Sequence, residues 1–155
     1  MEKIMKKREV PLLPERIGIK YANKEFSTGE DTQITDLSEE GIRDIVEKVC
    51  NGTYLSLFLA LDECGEEGYL LLESSEELIY LEIWDEGTQT FWTSFNPELL
   101  GSDKEAQAPI EPSDGQSVIP LKCTMKERGL AAKCVEWYAH TCEPYPGMDW
   151  LEETR

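Results

Sequence analysis

The side chains in this sequence that could do chemistry are mainly carboxylates, which occur in adjacent pairs. The pairs in the middle of the chain are Asp62-Glu63, Glu66-Glu67, Glu76-Glu77 and Asp85-Glu86. Such a pair could supply a general acid and base or bind a cation, but acid–base catalysis needs a carboxyl group with a perturbed pKa in a cleft. Adjacent acids in Gly-containing turns are usually solvated. The two acidic segments that contain a glycine, 62–67 and 85–87, also lack the alternating oxygen ligands of a calcium loop. Spacing alone therefore assigns no catalytic carboxylate.

Other catalytic signatures are missing from the sequence. It contains no phosphate-binding Gly loop, no zinc-ligand spacing and no nucleophile elbow. His140 is the single histidine, and we interpret it as a surface or helix-end residue. The cysteines are odd in number and form no Cys-x-x-Cys, which is typical of reduced thiols in a cytosolic protein. We therefore predict no catalytic residue, no metal, no cofactor and no enzymatic activity.

Charge defines the class of partner. The 155 residues include 15 Lys and Arg against 32 Asp and Glu, a formal net charge of −17. Between Val49 and Asp103 there are twelve acids and no Lys or Arg. Nucleic-acid backbones and anionic membrane surfaces repel such a chain, whereas a cationic protein is attracted to it. No apolar run approaches the roughly 18 residues of a membrane span, and no signal-peptide pattern follows the basic start. We expect a cytoplasmic protein that binds a basic protein, with no direct nucleic-acid or membrane binding; its oligomeric state stays open.

The elements that would position these residues fit one domain, 1–155. Residues 1–35 are expected to be irregular, with a possible edge strand at Arg16–Tyr21, and 96–116 to be a long irregular connection. An apolar stripe predicts a helix over Glu39–Cys50 with Asp36 as its N-cap, and a second helix is expected from Ser117–Pro120 to Thr141. Strands are predicted at Thr53–Leu61, Gly68–Glu73, Glu77–Trp84 and Thr88–Phe95. The short links between them favour an α+β fold: a four- or five-stranded, mostly antiparallel meander sheet with two helices packed on one face.

Alternation along these strands predicts two different sheet faces. The aliphatic face, expected to carry the core, contains Leu55, Leu57, Leu59, Leu61, Leu70, Leu72, Ile79, Leu81 and Ile83, with Phe91 and Phe95 from the fourth strand. The other face mixes aromatic and acidic side chains: Tyr54, Phe58, Tyr69, Glu73, Tyr80, Glu82, Trp84 and Trp92. It is either a protein interface, where Tyr and Trp are enriched, or a layer covered by the N-terminal segment or by 96–116. As partner-binding residues we predict Asp62, Glu63, Glu66, Glu67, Glu82, Trp84, Asp85, Glu86 and Trp92.

The stretch from Gly52 to Glu152 resembles a known family. The residues that carry the resemblance are Tyr80-Leu81-Glu82-Ile83-Trp84, Thr90-Phe91-Trp92, Ile119-Pro120, Ala131-Ala132, Glu136-Trp137-Tyr138, Glu143-Pro144 and Asp149-Trp150. They are similar to the first-numbered immunity-protein family of bacterial polymorphic toxin systems, although Thr141-Cys142 stand where that family commonly has a Gly. The resemblance implies a small cytosolic α+β protein that neutralises a co-encoded toxin, often a deaminase or nuclease and typically cationic. It identifies no contact residues.

Two alternatives of other classes remain. One is a small hydrolase or ligand-binding enzyme that uses the turn carboxylates, and the other is a nucleic-acid mimic that acts by its acid pattern alone. A carboxyl group with a raised pKa in a cleft would favour the enzyme. Sensitivity of binding to aromatic as well as to charge substitutions would favour the inhibitor over the mimic.

Overall fold

A computed structural model of the chain describes residues 2–26, 31–75, 77–97, 108, 110 and 119–155. Most of the predicted connection 96–116 lies outside the described residues. The described elements are β1 (Glu2–Met5), β2 (Tyr21–Phe26), β3 (Asp31–Gln33), α1 (Glu39–Cys50), β4 (Tyr54–Ala60), β5 (Gly68–Ser74), β6 (Ile79–Asp85), β7 (Thr90–Thr93), β8 (Thr124–Met125), α2 (Arg128–Thr141) and β9 (Trp150–Thr154). Among these residues, no helix has the length and apolar character that crossing a membrane requires.

The strands form one antiparallel sheet in the order β1-β9-β7-β6-β5-β4-β2-β3, with β8 paired to β6 beyond the end of β7. The α+β class, the two helices and the meander β4-β5-β6-β7 are confirmed. The prediction of four or five strands is wrong, because nine strands are described in this sheet. The additional strands flank the meander: β9 and β1 lie beyond β7, and β2 and β3 lie beyond β4.

The flanking strands are short and depend on partners distant in sequence. β1 pairs with β9, so that Ile4 lies opposite Leu151. On the other side of the sheet β2 pairs with β4 from Tyr21 onward. The predicted edge strand Arg16–Tyr21 therefore overlaps β2 only at Tyr21. Local alternation cannot reveal such pairings, since most of their stability comes from hydrogen bonds and contacts across the sheet.

Helix α1 has the predicted boundaries but a different cap. Ser38 is the N-cap residue, and its hydroxyl accepts a hydrogen bond from the Gly41 amide at 3.2 Å. Asp36, the predicted cap, instead accepts hydrogen bonds from the Ser38 amide and hydroxyl. At the other end Gly52 adopts a left-handed φ of 81°, a conformation that glycine tolerates.

Helix α2 begins later than predicted. Pro120 precedes a single 3₁₀ turn, Leu121–Cys123, and the short strand β8 before the helix starts at Arg128. Pairing of β8 with Ile79 and Tyr80 provides sheet hydrogen bonds there, so the chain remains extended where its apolar pattern suggested a helix. The predicted end at Thr141 is confirmed, with Cys142 in the left-handed region.

The aliphatic face carries the main core, as predicted. Leu57 and Leu81 have no exposed surface, and both helices contribute to the same cluster through Ile45 of α1 and Tyr138 of α2. Tyr54, predicted on the other face, also belongs to this core, because the register between β2 and β4 shifts beside it. The sheet and the two helices therefore form the principal layers of the fold.

The opposite face is divided into a covered and an uncovered part. A second apolar cluster lies over one end of it and includes Tyr80, Phe95, Ile119 and Leu151. Phe95 was predicted in the main core, and that prediction is wrong. The other end of this face retains half-buried aromatic side chains beside the turns that join the central strands.

Candidate functional site at the acidic end of the sheet

Two acidic turns lie side by side at one end of the meander. The first turn, 62–67, joins β4 to β5, and the second, 86–89, joins β6 to β7. Strand pairing places Gly68 opposite Asp85, and the Glu86 amide donates a hydrogen bond to the Glu67 carbonyl at 3.1 Å. The fold therefore combines two acidic segments that are separate in the sequence.

The aspartates in this region organise the turns. Asp62 accepts hydrogen bonds from the amides of Cys64, Glu66 and Glu67 at 2.9–3.0 Å. These amides, with that of Glu67 contributing most, hold the pKa of the Asp62 carboxyl below its ordinary value. Asp85 accepts from the Gly87 amide and the Thr88 hydroxyl. Both were predicted to bind a partner, but their carboxylates form intramolecular hydrogen bonds.

The glutamates of the turns point outward. Glu63, Glu66, Glu67 and Glu86 are exposed. Among the described residues the ion pairs are Lys3–Glu152, Arg43–Glu39, Lys48–Asp44 and Lys122–Glu2, and none involves these glutamates. Their charges therefore remain available to attract a cation from solution.

An aromatic row crosses the open face of the sheet beside the turns. We define it as Tyr21, Phe58, Tyr69, Trp84 and Phe91, which lie on β2, β4, β5, β6 and β7. The Tyr21 and Phe58 rings meet edge to face at 6.2 Å, and the Phe58 and Tyr69 rings stack at 5.6 Å. Trp84 lies directly opposite Tyr69 on one side and Phe91 on the other. All five side chains are half-buried, so the row keeps accessible surface.

Gly65 packs the first acidic turn against this row. Its φ of 71° lies in the left-handed region, and a Cβ atom there would be 2.6 Å from Cζ of Phe58. A larger residue would both strain the backbone and displace the Phe58 ring. The close approach of glycine therefore places the carboxylates of the turn next to aromatic surface.

Glu82 lies within the open face and is held by two tyrosines. The Tyr69 hydroxyl donates to its carboxylate at 2.5 Å and the Tyr80 hydroxyl at 2.7 Å. Burial, followed by the negative charge of Glu82, raises the pKa of both tyrosines well above the ordinary value. Both hydroxyls consequently stay protonated and fix the carboxylate, which identifies Glu82 as an ordered acid rather than a mobile rim charge.

The aromatic row ends in a shallow depression where the acids and aromatics meet. Its lining includes Glu66, Glu67, Tyr69, Trp84, Glu86 and Arg155. The Trp84 indole donates to the Glu86 carboxylate at 3.1 Å. The guanidinium carbon of Arg155 lies 5.8 Å from the Trp84 ring centre and 5.7 Å from that of Phe91. This depression therefore already contains one cation, from the chain itself.

Trp92 is not part of this surface. It lies opposite Ile83, on the helix-bearing face, where it packs against the main core and donates to Glu152 at 2.9 Å. Phe91 takes the position on the open face that was predicted for Trp92. Adjacent aromatics on a strand must point to opposite faces, and the length of the turn 86–89 decides which one faces the helices.

The structure thus brings together most of the predicted partner-binding residues and separates one. Glu63, Glu66, Glu67, Glu82, Trp84, Asp85, Glu86 and Asp62 share one end of the sheet. Sequence reasoning missed Phe91, Arg155 and Tyr21 as members of this surface. The aromatic pair Phe91-Trp92 was the available signal for Phe91. Nothing in the sequence pattern indicated Arg155, and Tyr21 was predicted only as the end of a possible edge strand.

Other groups suited to chemistry are dispersed. Within the described ranges, no three His, Cys, Asp or Glu side chains are grouped so that they could hold a metal ion. All five cysteines are unpaired, with Cys123 and Cys134 buried. Burial raises the pKa of both of these thiols, which disfavours the reactive thiolate.

Comparison of the chain with family models, with curated proteins and with solved structures gives no match. The chemistry of binding is therefore inferred from the geometry of the acidic turns and the aromatic row.

Proposed function

We propose that this chain is a non-enzymatic, cytoplasmic immunity protein that binds and neutralises a cationic toxin domain of the deaminase or nuclease class. The observation that carries the proposal is the pairing of the two acidic turns beside an accessible aromatic row. The family resemblance supplies the toxin as partner, and the surface described above supplies the chemistry of binding.

The charge arrangement supports a basic protein partner. Glutamates on neighbouring turns add their fields at one place, which accelerates the approach of a positively charged molecule. The segment from Val49 to Asp103, which contains both turns, has no Lys or Arg of its own to offset them. Association with a basic domain is therefore expected to be fast and salt-sensitive.

The aromatic row supports a protein partner over the charge-only alternative. Half-buried Trp and Tyr side chains give large, stiff contact areas and are enriched among interface hot spots. A nucleic-acid mimic would need the acid pattern but not these rings. Trp84 is the strongest candidate anchor, because its ring lies at the border between the row and the acidic turns.

The acidic turns give less support to the alternative of a carboxylate-dependent enzyme. A general acid at neutral pH needs a carboxyl group with a raised pKa. In the first acidic turn the pKa of the Asp62 carboxyl is displaced the other way, below its ordinary value, and the pKa values of Asp36 and Glu152 are also lowered. Hydrogen bonds to the ionised form lower the pKa of Asp36 and Asp62. For Glu152 burial raises the pKa, but the hydrogen bonds from Trp92 and Lys3, together with the charge of Lys3, outweigh it.

The test is surface plasmon resonance against the toxin domain encoded by the neighbouring gene. In one variant Glu63, Glu66, Glu67 and Glu86 are all replaced by Gln. Association at low salt should slow by about three- to tenfold, and its salt dependence should flatten, while dissociation changes little. An unchanged association rate would refute the proposal that these turns face the partner.

A matched control separates local from global charge. Glu9, Glu15, Glu40 and Glu47 are exposed and lie outside the acidic turns. Their replacement by Gln changes the net charge by the same amount. If this control slows association as much as the turn variant does, the effect comes from net charge and the proposed surface is wrong.

A further inference from the structure

Arg155 occupies a defined position on the aromatic row. Its backbone amide donates to the Gln89 carbonyl at 2.8 Å, which fixes the main chain beside the second acidic turn. From there the guanidinium carbon comes within 5.8 Å of the Trp84 ring centre and 5.7 Å of that of Phe91. Both distances are within the roughly 6 Å range of cation–π attraction.

The surroundings match the chemistry of a guanidinium group. A guanidinium is planar, stacks on aromatic faces and donates paired hydrogen bonds to carboxylates. Trp84 and Phe91 provide the rings, and Glu66, Glu67 and Glu86 provide carboxylates around the same depression. An ammonium group would use the charge but not the planar stacking.

The hold on Arg155 is weak enough to allow exchange. Among the described contacts Arg155 forms no ion pair, so its side chain is held by the rings and not by the neighbouring carboxylates. The side chain is also exposed. A guanidinium group that reached both the rings and the carboxylates would have more favourable contacts than Arg155 has.

We propose that this depression is a receptor for an arginine side chain of the basic partner and that Arg155 fills it in the free protein as an internal competitor. The inference rests on the proposed function, because it specifies which side chain of a cationic partner the surface recognises. Binding then replaces one guanidinium by another: Arg155 leaves the Trp84–Phe91 pair, and the incoming arginine stacks there and meets the glutamates.

Removal of the competitor should strengthen binding. An exposed cation–π contact favours the filled state only a few-fold over the open state. Only molecules in which Arg155 has left the rings can bind an arginine, so the apparent affinity is reduced by the fraction of such molecules. Arg155→Ala makes this fraction one and should tighten the binding of arginine by about three- to sixfold. The substitution keeps the backbone amide that bonds to Gln89, so the fold around the second turn is retained.

The experiment is isothermal titration calorimetry with a short oligo-arginine peptide, and with an oligo-lysine peptide of the same length. Arg16→Ala is the control, since Arg16 is exposed, lies outside the acidic turns and carries the same charge. Arg155→Ala should tighten oligo-arginine binding by about three- to sixfold beyond Arg16→Ala, with a smaller gain for oligo-lysine. Adding Trp84→Ala to both variants should abolish the difference between them.

Equal affinities of Arg155→Ala and Arg16→Ala for oligo-arginine would overturn the inference, as would an equal gain for oligo-lysine. Either result would leave the proposed function intact if the turn variant still slows association with the toxin domain. Conversely, a toxin domain indifferent to the turn variant would remove the proposed function, while the peptide titration would still decide whether the depression binds arginine.

Discussion

The backbone amide of Glu86 donates a hydrogen bond to the carbonyl of Glu67, and this bond joins two turns whose side chains repel each other. Backbone pairing between β5 and β6 holds the turns together, since Gly68 lies opposite Asp85. The sheet thus stabilises a concentration of like charge that the turns alone would not maintain. Such an arrangement costs folding free energy and is typical of surfaces that serve binding.

Neutralising one of these charges should stabilise the fold. Glu67→Gln relieves repulsion with the neighbouring glutamates and should raise the melting temperature by about 1–2 °C at low salt, an effect that shrinks as salt is added. Glu40→Gln is the control, because Glu40 lies in the first turn of α1, where a negative charge is favourable. Differential scanning calorimetry should show opposite signs for the two variants; a loss of stability in Glu67→Gln would contradict the proposed repulsion.

The two tryptophans of β6 and β7 should behave differently, because they lie on opposite faces of the sheet. Trp84→Ala should cost about 2 kcal/mol or more in binding the toxin domain if the ring is a hot spot. Trp92→Ala removes a ring that packs against the core, and should lower the free energy of unfolding toward the lower end of the range of about 3–5 kcal/mol for buried aromatics.

Urea denaturation and surface plasmon resonance on both variants check this division. The salt dependence of association should stay nearly unchanged in each, since neither substitution alters charge. If Trp92→Ala weakens binding while leaving stability intact, the helix-bearing side of β7 would have to be part of the interface.

The sequence pattern predicted the local elements well and the long-range ones poorly. The apolar stripe of α1 and the alternation in β4, β5 and β6 identified the core, because both arise from burial against one partner layer. The pairing of β1 with β9 depends on contacts between distant residues and has no local signal. The start of α2 was predicted too early because a partner strand, β6, recruits Thr124 and Met125 into the sheet.

The candidate site was predictable in its composition but not in its division of roles. The acid-rich turns and Trp84 were identified from residue type and position. Whether an acid points outward or organises its own turn depends on backbone conformation, which distinguishes Asp62 from Glu63. The contribution of Arg155 depends on β9 pairing with β7, a relationship that alternation does not reveal.

Truncation of the main core should be costly at positions that the alternation identified. Leu57 and Leu81 have no exposed surface and lie on either side of Leu72 of β5, on β4 and β6. Replacing either by Ala should lower the free energy of unfolding by about 2–5 kcal/mol. Leu12→Ala is the control, because that side chain is 95% exposed. Chemical denaturation that gave less than about 0.5 kcal/mol for Leu57→Ala or Leu81→Ala would place the residue at the surface.

The first acidic turn should have its own dependence on pH, set by Asp62. Its pKa is lowered in the folded state by the amides of Glu67, Glu66, Cys64 and Gly65, with burial opposing them. A depressed folded pKa contributes stability that is fully present above the ordinary value of 3.8 and is lost as the pH falls through the folded value. Asp62→Asn should therefore reduce stability at neutral pH and reduce it less, or not at all, in acid.

Glu63→Gln is the matched control for this measurement. It neutralises a carboxylate in the same turn, but the Glu63 side chain is exposed and the turn amides bond to Asp62 instead. Urea denaturation at about pH 7 and about pH 3 should show a smaller difference in stability between Asp62→Asn and the unmodified protein at the lower pH. For Glu63→Gln the two curves should stay close at both pH values. A constant deficit of Asp62→Asn across this range would mean that the amide hydrogen bonds to Asp62 do not depend on its charge.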